Sequence, residues 1–336
     1  MPKDRYSRQV VLPQIGKEGQ KRLRAAKVLL VGCGGTGGAI AQFLVRAGIG
    51  KLTLLDRDVV EESNLHRQLL FEEKDIGCPK AYLAAERLKA VNPEVEVVGL
   101  AEDFSAANAE KLVTEADLVM DGTDNLETRF MINDACVKFG KPWVYVGAVA
   151  TYGMMALLTP GQGACLRCFL PALPGAGSVP TCATAGVLNT IPAIMGALAA
   201  TEAVRLLTGQ KSPGRLVMFD VWTGEHHSVS LVKRPECPCC AQRKFEFIEP
   251  PARVTKVTVL CGSDSVQITP PKAASLDLPK MAASLNEIGE VTLYPAWLIL
   301  VTGKYRITVF GNGRVLVSGT SDEKTARALY SKYIGN

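Results

Sequence analysis

A glycine cluster, Gly32-Cys33-Gly34-Gly35-Thr36-Gly37-Gly38, constrains this chain most, because it sits between an apolar run and an amphipathic one. Lys27–Val31 reads KVLLV, a buried-strand composition, and a helical period follows the cluster as far as Ala47. Strand, tight turn and helix in that order build a phosphate cradle. Glycines let the backbone approach an anion, and the helix beyond offers free amides and the positive end of its dipole. Gly32, Gly34, Gly35 and Gly37 are the expected cradle. A second apolar run, 51–56, ends in Asp56, placed where a carboxylate can hold ribose hydroxyls. The pattern asks for a nucleotide without saying which, and an NAD(P)-dependent oxidoreductase fits it equally well.

The alternation continues. Residues 79–90 read as a helix with Pro79 in its first turn and Asn92-Pro93 stopping it. Strands are expected over 95–100, 117–121 and 143–146, with helices over 107–115 and Leu126–Phe139, the latter closed by Gly140. Strands alternating with helices at this spacing predict an α/β domain with a doubly wound, mostly parallel sheet. Beyond residue 150, the runs 153–158 and 216–220 predict an antiparallel extension, and the Pro/Gly-rich stretch 171–180 a mobile loop between them. A Pro-containing linker over 249–253 divides a nucleotide-binding domain, 1–248, from a small α+β domain, 249–336. In the latter, strands are expected at 254–260, Ser265–Thr269, 291–301 and Tyr305–Phe310, and helices at 276–285 and 322–333. Gly311-Asn312-Gly313 forms a hairpin turn. No catalytic motif is recognisable there.

The chain has 336 residues, 21% of them charged, and its net charge of +5 comes from no basic tract. Nucleic-acid binding therefore has no support. The N-terminus MPKDRYSRQVVL lacks the apolar core of a secretory signal, which points to the cytoplasm. Residues 181–201 carry no charge over nearly the length of a membrane span, but Thr184, Asn189, Thr190 and Pro192 dilute them. The expectation is a buried helix at a core or subunit interface, not a membrane helix. In a reducing compartment the ten cysteines stay thiols, so their clusters suggest metal binding or reactivity.

The polar run Asp56-Arg57-Asp58-Val59-Val60-Glu61-Glu62-Ser63-Asn64-Leu65-His66-Arg67-Gln68 is more than a dehydrogenase requires. Adenylation does require such a run. As pyrophosphate leaves, the growing negative charge wants Arg, Lys and Mg²⁺ around it. Asn64, Arg67 and Lys80 are suitable donors, and Asp58 joins Asp56 in the nucleotide-facing set. Asp121-Gly122-Thr123-Asp124-Asn125 ends the fourth strand: Asp121 reads as structural, and Asp124 as either a Mg²⁺ ligand or a helix N-cap.

Cys165-Leu-Arg-Cys168 and Cys237-Pro-Cys-Cys240 are two C-x-x-C pairs whose four thiolates suit a closed, structural Zn²⁺ site. A redox dithiol is the alternative for either pair alone, and Cys239 lies inside the second pair as a possible decoy. Cys182, between the Pro/Gly loop and the uncharged stretch, sits where a helix dipole can lower a thiol pKa; a bystander thiol is the competing reading. The three histidines form no constellation.

RYSRQ at 5–9, GCGGTGG at 32–38, LLDRDVVEESNLHRQ at 54–68, GCPK at 77–80 and DGTDN at 121–125 occur in the order and spacing of one family. Over residues 4–245 the chain resembles the ThiF/MoeB/HesA family, relatives of ubiquitin-activating enzymes. The resemblance implies a Rossmann-like fold that uses ATP and Mg²⁺ to adenylate the C-terminal Gly-Gly carboxylate of a small ubiquitin-like sulfur-carrier protein. By that resemblance Asp56 binds ribose, Asn64, Arg67 and Lys80 contact the phosphates, and Asp124 serves Mg²⁺ and the adenylation step. Arg8 would reach into the partner subunit's ATP site, which implies a homodimer. The same four cysteines would hold zinc, and Cys182 matches a loop cysteine that accepts the activated carrier in some members and is dispensable in others. Residues 251–336 lack the cysteine loop of a rhodanese domain, Cys261 included, so a separate sulfur donor such as a cysteine desulfurase or rhodanese is expected. A non-catalytic carrier-binding scaffold and an enzyme adenylating a tRNA base are the remaining alternatives, and the pathway served stays open.

Overall fold

Two helices precede the first strand, α1 (Ser7–Val10) and α2 (Gly16–Ala25), and neither is evident in the sequence. The computed structural model describes residues 5–174, 182–210, 214–249, 256–259, 264–269 and 275–334. Most of the 171–180 loop, most of the 249–253 linker and Cys261 lie outside the described residues. The chain divides into two units, Met1–Pro250 and Pro251–Asn336.

In the first unit the order is β1 (Lys27–Val31), α3 (Gly35–Ala47), β2 (Lys51–Leu55), α4 (Lys80–Val91), β3 (Glu96–Leu100), α5 (Ala109–Thr114), β4 (Leu118–Asp121), α6 (Leu126–Phe139), β5 (Trp143–Val149) and β6 (Tyr152–Leu158). The short helices α7 (Leu166–Phe169) and α8 (Cys182–Ala185), the long α9 (Thr190–Leu207), β7 (Arg215–Asp220) and β8 (His226–Ser230) complete it. The sheet order is β3-β2-β1-β4-β5-β6-β7-β8, parallel from β3 to β5 and antiparallel from β5 to β8. The expected doubly wound sheet with an antiparallel extension is therefore present.

KVLLV is apolar without alternation because both faces of β1 are covered. Leu30 packs with Ile40, Leu44 and Met195 from α3 and α9, whereas Leu29 and Val31 pack with Val113 and Phe130 from α5 and α6. Helix α9 is the one described helix long and apolar enough to cross a membrane; one side of it packs against α3, β5 and β6, and 39% of it is buried.

Strand order reverses between β1 and its neighbours β2 and β4, the place where open α/β sheets bind ligands. Register brings the three strand ends level, with Val31 opposite both Leu55 and Asp121. The glycine turn, Asp56 and the segment 121–125 thus open at one crevice. Their approach is close: a Cβ on Gly37 would lie 1.9 Å from the Gly32 carbonyl oxygen, and one on Gly122 2.4 Å from the same atom. Gly32 itself takes a positive φ of 92°.

The second unit is a six-stranded antiparallel sheet ordered β11-β12-β13-β14-β10-β9. Its elements are β9 (Lys256–Val259), β10 (Ser265–Thr269), α10 (Leu278–Leu285), β11 (Glu290–Leu293), β12 (Trp297–Thr302), β13 (Tyr305–Phe310), β14 (Val315–Ser318) and α11 (Glu323–Tyr333). The expected single strand at 291–301 is two strands paired as a hairpin, Val291 opposite Leu300. Pro295 has no N–H for a ladder, and the chain turns there with the Tyr294 amide donating to the Trp297 carbonyl at 2.9 Å.

Candidate functional site

The glycine turn is held from below by Asp56. One carboxylate oxygen accepts from the Cys33 amide at 2.6 Å and the other from the Asp58 amide at 2.8 Å, so Asp56 fixes both the β1 turn and its own. Burial pushes this carboxyl up to about 6; the Lys80 ammonium opposes the rise and the Asp58 charge adds to it. Lys80 begins α4 and is buried, with Nζ 3.6 Å from Asp58 and its backbone N–H donating to the Asp58 carbonyl. Burial disfavours its charge, yet Asp58, Asp56, Asp124 and Glu61 together raise its pKa above the ordinary lysine value. A buried ammonium beside one carboxylate and within the field of three more keeps its proton and can meet phosphate oxygens.

The segment between β2 and α4 lies across the glycine turn. A Cβ on Gly35 would meet the Arg67 carbonyl at 3.3 Å, whereas one on Gly34 would meet only the Gln68 amide, at 3.5 Å. Gly32 and Gly37 are therefore the glycines that backbone packing demands, whereas a Cβ on Gly34 would make only ordinary contact with the Gln68 side chain. The Gln68 amide N–H donates to the Asn64 carbonyl at 3.0 Å, putting these two side chains on one turn. Asn64 Oδ1 and Gln68 Oε1 are buried and accept no hydrogen bond among the described residues. Buried polar atoms without partners are uncommon, and two beside the glycine turn suit a polar ligand such as a nucleotide. Sequence reasoning gave Gln68 no role; its four-residue spacing from Asn64 was the available signal. Arg67 donates to the Ser63 carbonyl at 2.9 Å and is half-exposed.

On the other side stand Asp121 and Asp124, with opposite roles. Asp121 is fully buried and accepts from the Thr123 amide and hydroxyl, the Val146 amide and Arg129 Nε, the last at 2.8 Å. Arg129 also donates to the Thr123 and Val146 carbonyls, both at 2.6 Å, tying the end of β4 to β5. The N-cap of α6 is Asn125, whose side chain accepts from the Thr128 amide at 2.8 Å. The exposed Asp124 carboxylate is thus left out of the cap. It lies within electrostatic reach of Lys80, Arg57 and Arg129.

Cys182 stands at the start of α8, its thiol 3.8 Å from the Ala148 carbonyl and within electrostatic reach of Arg67, Asp124 and Arg129. Burial raises its pKa, and the nearby arginines only partly offset that. The expected acidification by a helix dipole is not realised; α8 has only four residues, too short to sum a useful dipole. Arg8 is exposed on α1 and, among the described residues, makes no hydrogen bond or ion pair to the glycine turn. All the other expected nucleotide-site residues converge on the crevice.

The two C-x-x-C pairs meet at the far end of α6. The sulfurs of Cys165, Cys168, Cys237 and Cys240 all lie within 4.8 Å of one another, with 165–237 and 168–240 both at 3.5 Å. Four sulfurs at the usual Zn–S bond length stand about 3.8 Å apart in a tetrahedron, so this quartet fits Zn²⁺ with no open position. Cys239 lies outside this quartet; its sulfur accepts from the Asn133 side-chain amide at 3.2 Å and also meets the side chains of Cys165 and Asp134.

The model of the ThiF family matches residues 6–239. This chain belongs to the ThiF family. A sulfur carrier protein ThiS adenylyltransferase of Bacillus subtilis is 39% identical over 336 residues, covering 98% of this chain and 99% of that protein. A sulfur carrier protein adenylyltransferase of Thermus thermophilus is 42% identical over 245 residues, covering 70% of this chain and 90% of that protein. Among solved structures, E. coli MccB with ATP superimposes with a TM-score of 0.62 at 26% identity, over 70% of this chain and 74% of that one. The ThiF relatives thus share the crevice-bearing unit, and the Bacillus protein matches along both units.

Proposed function

We propose that this chain uses ATP to adenylate the C-terminal carboxylate of a small ubiquitin-like sulfur-carrier protein of the ThiS kind, releasing pyrophosphate. The observation that carries the reading is Asp124: an exposed carboxylate excluded from the helix cap, facing a buried lysine across a nucleotide crevice. The match to the Bacillus ThiS adenylyltransferase along nearly the whole of both chains supports the choice of carrier. ATP lies on the glycine turn, with Asn64, Gln68, Arg67 and Lys80 around its phosphates and Asp56 near the ribose. Asp124, aided by Asp58, would hold Mg²⁺, which would supply neutralising positive charge as pyrophosphate leaves. The carrier's flexible Gly-Gly tail enters the crevice, and its carboxylate oxygen attacks the α-phosphorus as the bond to pyrophosphate breaks.

Arg8 completes the site of a second subunit in a homodimer. The exposed apolar side chains of Val11 and Leu12 beside α1 and of Phe43 on α3 support a subunit contact. Cys182 takes the acyl group from the adenylate: its sulfur bonds to the carbonyl carbon, AMP departs, and the thiol proton passes to solvent. Its raised pKa makes it a nucleophile that must lose its proton as it attacks. A separate persulfide-bearing protein supplies sulfur: its outer sulfur attacks the thioester carbon, Cys182 leaves as a thiol, and a thiol reductant cleaves the resulting acyl disulfide to the thiocarboxylate, leaving a disulfide. Zinc clamps the two knuckles, and the enzyme works in the cytoplasm, where its thiols stay reduced.

Carrier-dependent ATP–pyrophosphate exchange tests the reading. Exchange with a Gly-Gly-ending carrier should vanish when the tail is truncated and fall at least about 100-fold in Asp124→Ala. That variant should unfold at the wild-type temperature, since Asn125 carries the cap. ATP binding without exchange with any carrier would reject the proposal.

A further inference from the structure

Helix α6 connects the two halves of this unit through residues spaced four apart on one face. Asn125 caps it, Arg129 clamps the end of β4, and Asn133 lies one turn further on. Asn133 is fully buried, and its side-chain amide reaches both cysteine knuckles besides a long bond, 3.5 Å, to Asp134 Oδ1. Its Oδ1 accepts from the Leu166 amide at 2.9 Å, inside the first knuckle between Cys165 and Cys168. Its Nδ2 donates to Cys239 Sγ at 3.2 Å, inside the second knuckle between Cys237 and Cys240. A single side chain thus touches both knuckles, which are 72 residues apart in the chain. The next residue repeats the pattern: Asp134 accepts from the Phe247 amide at 3.1 Å, just beyond the second knuckle.

We propose that Asn133 is the positioning residue of the zinc site, setting the two knuckles in register so that four sulfurs converge while the fifth, Cys239, is held aside. Two short loops each carrying two thiols have no intrinsic relative position. Cys237-Pro-Cys-Cys240 can also present Cys239 in place of a neighbour. An amide with one acceptor and two donors answers both needs, because it fixes the Leu166 N–H with its oxygen and occupies the Cys239 sulfur with its nitrogen. Groups that orient metal ligands commonly contribute 10- to 100-fold in metal affinity. The same hydrogen bonds explain why a polar residue is fully buried on α6 among Phe130, Ile132 and Ala135.

Zinc release from the intact holoprotein to a chromophoric chelator tests this, with activity playing no part. Asn133→Ala should retain one zinc per chain as isolated but release it about 10-fold faster or more. Cys239→Ser should also keep one zinc and release it at close to the wild-type rate, because serine can accept the same N–H. Asn92→Ala is the control for general destabilisation. Asn92 is equally buried, donating to the Tyr6 hydroxyl and the Val45 carbonyl, and its loss should leave zinc release unchanged. Wild-type release from a folded Asn133→Ala, or loss of zinc from Cys239→Ser, would overturn the proposal. If Asn133→Ala does not fold, Cys239→Ala decides. Removing the acceptor alone should speed release, and an unchanged rate would overturn the proposal.

Discussion

Asp56 shows how much one side chain can carry that its position in the sequence does not reveal. Strand end and spacing from the glycines mark it for a ribose; its two backbone hydrogen bonds make it the fastening of the glycine turn as well. That second role depends on the approach of Cys33 across two strands, which no spacing encodes. Its burial has a sign that can be checked. The folded carboxyl titrates near 6, above its ordinary value of 3.8. Between those two values the folded chain binds a proton that the unfolded chain releases, so this group's contribution to stability grows as pH falls through 6 and is a cost above it. Asparagine cannot take up that proton. Urea unfolding at about pH 5 and about pH 7.5 should therefore show wild type gaining on Asp56→Asn at the lower pH. A difference between the two proteins that stays constant with pH would mean that Asp56 does not titrate in this window.

At the scale of elements, the glycine turn separates packing from binding. In Gly37→Ala the new Cβ would press on the Gly32 carbonyl, a backbone atom that cannot move without breaking the β1–α3 join. Thermal unfolding should show a loss on the order of 3 kcal/mol. Gly34→Ala meets only a side-chain amide at 3.5 Å, so its stability should stay within about 1 kcal/mol of wild type. Its ATP affinity, measured by calorimetric titration, should nevertheless fall, because the methyl fills the space a phosphate needs beside the amides. Equal stability losses in the two variants would refute the distinction. The strand–helix alternation from β1 to β5 was legible because buried parallel strands write continuous apolar runs between helical periods. Other elements left weaker traces. Helix α2 carries one fully buried leucine, Leu23, and is fastened by Gln20 donating to the Ala47 carbonyl, so it shows little apolar stripe. The β11–β12 hairpin hides in an apolar stretch whose only punctuation is Pro295. In DGTDN the strand end already marks Asp121 as structural; for Asp124 the sequence leaves metal ligand and helix cap both open, and it is the Asn125 cap that removes the second.

At the scale of the molecule, the crevice and the cysteine quartet belong to one unit, and each unit has its own core. In the second, Leu298, Leu300, Ile307 and Val317 of the sheet pack with Leu278, Leu285 and Ala326 from α10 and α11. Its one fully buried cation, among the described residues, is Arg314, which donates to Gln267 and stacks on Phe310 at 3.6 Å. The Thermus relative supports the sufficiency of the first unit, since 90% of its length matches 70% of this chain. A chain ending at Pro250 should therefore fold, retain zinc, bind ATP and catalyse carrier-dependent pyrophosphate exchange at a rate comparable to the full chain. Size-exclusion chromatography, zinc analysis and the exchange assay on the truncated protein check each part. The informative failure would be specific. If ATP binding and zinc survive while exchange falls and the carrier's half-saturating concentration rises, adenylation chemistry resides in the first unit and carrier recognition extends into the second. A fall in ATP affinity as well would contradict the division, because every residue assigned here to the nucleotide lies before Pro250.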